Sequence, residues 1–374
     1  MARAAEAGGR ADRYAFRLFE PSDQEAFVSL YDETFGDGSE EWFEWKYTEN
    51  PAAGYVPIVV ATHDGELVGA RPCVPFRMRV GDRTVEAVRF GDTMVHPDHR
   101  RRGLFTRMSQ RTIEYYAALD TAFGFNHPNE NSLPGYRTMG GRVVGRFPVA
   151  YRVQNPAALA GGRLDGPAAL GVSAATPLAR AYLDGRARLS PSPDSGTAVT
   201  RHASTPAETL AALSEAGPPE GIHAERTAEF YEWRFRNPQW RYRTYVAHDE
   251  GPVAGIVTGT RRVGDATVTT LAEAVPMAGN GARREAFSTL VDRIVEDAAD
   301  ADLLAYTGRA IPGGVLAAAG FHRDDRPPLS WLARPNLLVA HELGGEAYHE
   351  WKVAGVNLLD PSNWSLSFCE QDAR

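Results

Sequence analysis

The sequence predicts an α+β (mixed α/β) fold of two tandem domains, each a central, mostly antiparallel sheet flanked by helices. Three observations carry this reading. First, the chain contains itself twice: Glu44-Trp45-Lys46-Tyr47-Thr48-Glu49-Asn50-Pro51 returns as Glu232-Trp233-Arg234-Phe235-Arg236-Asn237-Pro238, residues 58–69 as 245–255, 80–85 as 263–268, and Gly140 as Gly320. Ordered matches with a slowly sliding offset are what duplication followed by loop deletion leaves behind. Second, alternating apolar runs come in pairs around tight turns, the mark of antiparallel hairpins. Third, an alternating run ends at Pro97, and a basic loop leads straight into an amphipathic stretch from Leu104. That order is strand, cationic loop, helix.

The elements of the first copy follow from local pattern. Tyr14–Phe19 alternates as a strand, and Pro21-Ser22-Asp23 starts a helix over Gln24–Phe35. Glu40–Tyr47 reads as a second, aromatic helix, and Ile58–Thr62 and Glu66–Val80 as strands around His63-Asp64-Gly65. Thr84–Val95 is a long strand, Leu104–Ala118 a helix, Ala122–Asn126 a strand and Pro134–Met139 a short helix, with Arg142–Val153 closing the sheet. The expected boundaries are a disordered leader over 1–13, a first domain over 14–153, a linker over 154–198, a second domain over 199–336 and a tail over 337–374. The linker is rich in Ala, Gly, Pro and Ser, with a helix over Ala174–Leu189. Trp351, Trp364, Leu366 and Phe368 make the tail too apolar to stay solvated, so it should dock, either over the inter-domain seam or with Glu370 and Asp372 at the rim of a site.

Composition narrows the function classes. A chain of 374 residues exceeds one ordinary core, and 43% hydrophobic with 24% charged residues is a globular balance. Apolar runs fall short of the roughly 18 residues a membrane span needs, and the start has no apolar signal segment. Net charge of −8 argues against a nucleic-acid surface. Cys73 and Cys369 are far apart and read as reduced cytoplasmic thiols. His341-Glu342 and His349 lack the spacing of a helical zinc site, and the ten histidines form no ligand cluster, so no metal is expected. Lysine occurs only at Lys46 and Lys352, which reads as a genomic bias toward arginine.

The chemistry-bearing stretch is Val95-His96-Pro97-Asp98-His99-Arg100-Arg101-Arg102-Gly103-Leu104-Phe105. A helix start carries unpaired N–H groups and the positive end of the dipole, so it attracts phosphate. Arg100, Arg101 and Arg102 add charge, and Gly103 lets a ligand approach the backbone. The segment resembles the acetyl-CoA signature of the GNAT superfamily of N-acetyltransferases, Arg/Gln-x-x-Gly-x-Gly/Ala after a strand ending Val-x-Pro. Arg100, Gly103 and Val95–Pro97 match, while Phe105 stands where the family has Gly or Ala. Asn129 lies seven residues before Tyr136, and Gly140 four after it, which resembles the GNAT stretch in which the Asn contacts pantetheine and the Tyr protonates the departing thiolate. Gly141 stands at an apolar position of the family.

The resemblance covers residues 14 to about 153 and, through the repeat, 199–336 more loosely. It implies acetyl-CoA as cosubstrate, bound by Met94, Val95, His96, Arg100, Arg101, Arg102, Gly103, Leu104, Phe105, Thr106, Asn129 and Asn131. It also implies that two splayed strands take up pantetheine, that N–H groups near Met94–Val95 polarise the thioester, and that Tyr136 is the general acid. Asp92 is the candidate base because it interrupts an apolar strand just before these contacts, with His96 next. The tandem layout resembles the enhanced-intracellular-survival type acetyltransferases without their third domain, which would instead use a C-terminal carboxylate.

The second copy is an internal control. Aligning Phe105 with Phe287 places Glu285 opposite Gly103, where a carboxylate repels pyrophosphate, and aligning Gly140 with Gly320 places Leu316 opposite Tyr136. One acetyl-CoA per chain is therefore expected. Trp45 and Trp42 recur as Trp233 and Phe230, which marks them as packing residues. The expected activity is transfer of an acetyl group to a primary amine of a small molecule, such as an amino sugar or aminoglycoside. The rival readings are a tandem aminoacyltransferase and a non-catalytic acyl-CoA-binding regulatory module. Nucleic acid and membrane are not expected partners.

Overall fold

Residues 14–156, 197–279, 283–327, 329–331, 336–343 and 348–371 are described by the structure, a computed structural model. The expected leader, most of the linker with its helix, and Asp372 lie outside them. The first sheet is built from β1 (Tyr14–Leu18), β2 (Ile58–His63), β3 (Glu66–Val80), β4 (Arg83–Phe90), β5 (Met94–Val95), β6 (Phe123–Asn126) and β7 (Arg142–Arg146). The second is built from β8 (Val149–Val153), β9 (Ala198–His202), β11 (Arg241–Asp249), β12 (Gly251–Val263), β13 (Ala266–Val275), β14 (Leu303–Thr307) and β15 (His322–Arg323). Between them β10 (His223–Ala224) pairs with β3, and β16 (Leu337–Glu342) enters the first sheet.

The strand orders are β1-β2-β3-β4-β6-β16-β7 and β15-β8-β14-β13-β12-β11-β9. They match element for element when read from opposite ends. In both, one parallel pair, β4 with β6 and β13 with β14, interrupts antiparallel neighbours. Each sheet is completed by the other copy. β8, which leaves the first copy, inserts between β14 and β15, and β16, which leaves the second, inserts between β6 and β7. Two expectations are corrected here. Only Arg142–Arg146 of the run 142–153 closes the first sheet, and residues 337–342 are a strand of it rather than part of a tail outside both repeats. Alternation alone cannot say which of two similar sheets a strand joins.

The helices repeat the same symmetry. α1 (Gln24–Phe35) stops at Gly36, whose φ of 84° is the left-handed C-terminal cap. α2 (Glu40–Phe43) starts where Ser39 accepts from Trp42 N–H, and runs into a π-turn over Glu44–Thr48. Then come α3 (Leu104–Ala118), α4 (Leu133–Thr138) and α5 (Ala207–Glu215). α6 (Ala228–Arg234) starts where Thr227 accepts from Phe230 N–H, the repeat of the Ser39 cap, and α7 (Arg284–Asp297) and α8 (Gly313–Ala318) complete the second copy.

At the centre, Trp45 Nε1 donates to the Trp233 carbonyl at 2.6 Å, and Trp233 Nε1 donates to the Trp45 carbonyl at 2.7 Å. The rings stack at 5.8 Å and 16°. Such reciprocity is the signature of a two-fold contact, here between halves of one chain. The two indoles satisfy each other's N–H inside one core shared by both copies.

The tail is docked. Trp364 is fully buried against Phe123 and Phe125, and Ser365 N–H donates to the Ile222 carbonyl. Glu370, also fully buried, bridges Arg226 at 2.8 Å and accepts from Ala224 N–H, Ser367 N–H and the Ser367 hydroxyl. Arg226 also bridges buried Glu273 at 2.7 Å. Burial pushes the Glu370 carboxyl up, but Arg226 and the amide donors outweigh it and hold it below the carboxylate range. Burial leaves Glu273 raised. Glu370 is thus an anchor and not a rim carboxylate.

Candidate active site

The site begins with a break in one strand. Cys73 pairs with Phe90 and Ala70 with Met94, so Gly91, Asp92 and Thr93 face only Arg71 and Pro72. One extra residue makes a β-bulge, and Asp92 takes it up at a left-handed φ of 47°. Beyond it β5 stays on β3 but leaves β6, whose pairing with β4 ends at Arg89 and Phe125. The sequence expectation of one long strand over 84–95 is corrected accordingly. His96 N–H donates to the Val68 carbonyl at 2.9 Å. By the two-residue period Met94 also faces β3, and the Val95 N–H faces the gap.

The gap opens into a cleft of about 500 Å³ lined by Phe35, Asp92, Thr93, Phe105, Asn126, Asn129, Asn131, Tyr136 and Gln371, among others. Beside it, α3 begins at Gly103, whose φ of 74° admits glycine readily. No side chain caps this helix among the described residues. Its first-turn N–H groups at Leu104, Phe105 and Thr106 have no intrahelical partner. Arg101 is also left-handed, at 61°. Arg100 Nε donates to the Val95 carbonyl at 3.1 Å, and Arg102 donates to the Tyr14 hydroxyl and the Asp98 carbonyl, so both shape the loop while adding charge. Leu104 is buried and pins the helix start.

Tyr136 lies on α4, 4% exposed, and lines the cleft. Asn129 Oδ1 accepts from Asn131 N–H, Ser132 N–H and the Ser132 hydroxyl, so its carbonyl organises the loop that presents α4. Phe105 packs edge-on against the Tyr136 ring at 6.0 Å. It fits because residue 135 is glycine: a Cβ there would stand 2.7 Å from Phe105. Gly141 has a matching reason. A Cβ on it would lie 2.5 Å from His341, whose ring packs on Tyr136 at 5.5 Å and on Phe90 at 5.1 Å. Both departures from the GNAT pattern are thus local repacking around the tyrosine.

Asp92 reaches the cleft but is engaged. It forms a buried ion pair with Lys46 and accepts from the Tyr47 hydroxyl at 3.1 Å. An amine proton bound for Asp92 would meet a carboxylate already paired with the Lys46 ammonium. His96 is not among the residues lining the cleft. Its Nδ1 accepts from Asp98 N–H, and Nε2 lies 3.8 Å from Glu33.

Sequence reasoning passed over four residues here. Lys46 sits in the π-turn against Trp42 and Asp92, and its signal was being one of two lysines in an arginine-biased chain. Asn126, 3% exposed, leaves Oδ1 without a partner at the mouth of the gap. Arg71 donates to the Tyr136 hydroxyl, and its signal was a cation inside an apolar strand. His341 comes from the second copy's exchanged strand, so only the unexpected Gly141 hinted at it. Burial, with Arg71 nearby, lowers His341 to about 3 and keeps it neutral.

The second copy has closed the equivalent seat. Leu104, Met108, Ser109 and Thr112 are buried on α3, as Ala286, Leu290, Val291 and Ile294 are on α7, so Gly103 falls opposite Glu285. There the helix already runs, starting at Arg284 with Glu285 in its first turn. Leu316 occupies the Tyr136 position on α8 and packs into the second core.

Residues 15–144 match the family model described as acetyltransferase (GNAT) domain. No curated protein matches the sequence. Among solved structures, the chain is similar to a GCN5-related N-acetyltransferase from Anabaena variabilis (11% identity, 88% of this chain and 73% of that one, TM-score 0.58). It is also similar to one from Kribbella flavida (14%, 87% and 70%, TM-score 0.53) and to Eis1 from Mycobacterium abscessus (16%, 88% and 73%, TM-score 0.51). No described helix is long and apolar enough to cross a membrane.

Proposed function

We propose that this chain, whose first copy is a GNAT acetyltransferase domain within a tandem GNAT fold, transfers an acetyl group from acetyl-CoA to a primary amine of a small molecule by direct attack in a ternary complex. One observation carries the reading: Phe105 of the uncapped α3 start, Thr93 of the broken strand, Asn126 of β6 and Tyr136 line one cleft, whereas the second copy lacks the glycine and the tyrosine.

In this reading the α3 amides with Arg100, Arg101 and Arg102 hold the pyrophosphate. Pantetheine lies in the gap between β5 and β6, Val95 N–H polarises the thioester carbonyl, and Tyr136 protonates the leaving sulfur. In the same reading Asn126 and Asn131, which line the cleft, hydrogen-bond pantetheine amides or the acceptor. Amino sugars and aminoglycosides are the first acceptors to try. The engagement of Asp92 by Lys46 is the observation that favours the rival, a non-catalytic acyl-CoA-binding module.

Calorimetry with acetyl-CoA, followed by free-thiol release over a panel of amines, tests both. One site per chain with amine-dependent thiol release supports the transferase. Binding without release from any amine supports the module.

A further inference from the structure

Arg71 is the least conventional residue of the site. It is 1% exposed on β3, and no carboxylate bridges it among the described residues. Instead its guanidinium lies 5.1 Å from the centre of Phe90, 5.4 Å from Phe105 and 5.0 Å from Tyr136. Its Nη1 donates to the Thr93 hydroxyl on the bulge and to the Tyr136 hydroxyl at 3.1 Å. A buried cation without an anion is costly, and an apolar side chain would fill the same place at less cost. Aromatic faces offset part of that cost. A position that keeps a cation under these terms has a use for its charge.

We infer that Arg71 is a positioning residue that turns Tyr136 into a directed proton donor and stabilises the phenolate it leaves. The inference rests on the transferase reading above. An oxygen that accepts from Arg71 has its own hydrogen aimed away from the guanidinium, and Tyr136 lines the cleft while Arg71 does not. In the transfer, the amine nitrogen bonds to the acetyl carbon and the carbon–sulfur bond breaks, its electron pair going to sulfur. Tyr136 gives its proton to that sulfur, yielding the free thiol of CoA. The phenolate faces Arg71 until it regains a proton, equivalent to the one the amine lost. The guanidinium is therefore worth more after proton transfer than before it, which is where catalysis gains.

The test is a double-mutant cycle in the full chain, using the best amine from the thiol-release panel. R71Q should lower kcat about 10- to 100-fold with Tyr136 present. It should lower it less than about 2-fold in the Y136F background, because the two residues then act as one unit. Equal losses in both backgrounds would overturn the inference. Should R71Q melt well below the wild type, T93V replaces it: removing the hydroxyl that steadies the guanidinium should lower kcat more weakly and again only with Tyr136 present.

A binding arm separates failure of the inference from failure of the transferase reading. CoA should gain affinity over acetyl-CoA as pH rises from 7 to about 9, because the donor pair favours the thiolate, which only CoA can form. Loss of this gain in both R71Q and Y136F supports the inference even if no amine is acetylated. Retention of the gain in R71Q, or no CoA binding by the wild type, overturns it.

Discussion

The two copies share a scaffold and differ in chemistry. Their sheets have the same order, their second helices start with equivalent caps at Ser39 and Thr227, and their tryptophans bond to each other reciprocally. Yet α3 begins at a left-handed glycine that leaves its amides open, while α7 begins further back and presents Glu285. Symmetry is retained where two halves must pack and lost where a ligand would sit. The second copy also supports the first: its exchanged strand brings His341 behind Tyr136, and Arg234 holds the tail through the Phe368 and Cys369 carbonyls. Trp45 and Lys46 show the divergence side by side. The first serves the interface in both copies, and the second, Arg234 in its partner copy, turns to Asp92.

The largest effect expected from the asymmetry is on turnover. Tyr136→Phe should reduce kcat by about 10²–10⁴-fold while leaving acetyl-CoA affinity nearly unchanged, because in the proposed transfer the hydroxyl acts only late. Unaltered turnover, with chemistry shown to be rate-limiting, would remove Tyr136 from its role.

Next comes the anchor that joins the halves. Glu370→Ala leaves buried amide donors of Ala224 and Ser367 unsatisfied, a cost of about 2–5 kcal/mol. The melting temperature should fall roughly 5–15 °C. A melting curve like the wild type's, with turnover lost, would instead restore Glu370 to the active site.

Gly103→Glu copies the second copy's residue into the first. The left-handed φ and the added carboxylate should weaken acetyl-CoA binding roughly 5- to 150-fold, a loss of about 1–3 kcal/mol. The converse change, Glu285→Gly, should leave calorimetric stoichiometry at one, because α7 has already grown through that position. A second site appearing in Glu285→Gly would mean that the copies differ by charge alone.

The smallest effect is on pH dependence. Burial lowers His341 to about 3, and His127 and His223 to about 4. Each holds a proton more weakly folded than unfolded, so stability should fall as pH drops below about 6.5 toward those values. Melting temperatures between pH 7 and 5 should decline less steeply in His341→Gln than in the wild type. Parallel slopes would exclude His341 from the acid response.

Local pattern determined much of this protein. The repeat, most strands and helices, the open helix start at Gly103 and the contrast with Glu285 are legible because each depends on neighbours in sequence: side-chain period, turn residues and backbone conformation. The tertiary structure alone decided which sheet receives Val149–Val153 and Leu337–Glu342, since either strand satisfies either sheet by alternation. It decided that Asp92 faces Lys46, some 46 residues away, and that Glu370 meets Arg226 across the seam. It placed Arg71 on Tyr136, 65 residues off, and His341 against Gly141. A charge's role depends on the partner that desolvation forces upon it, and that partner is chosen by packing between distant segments, which no local period encodes.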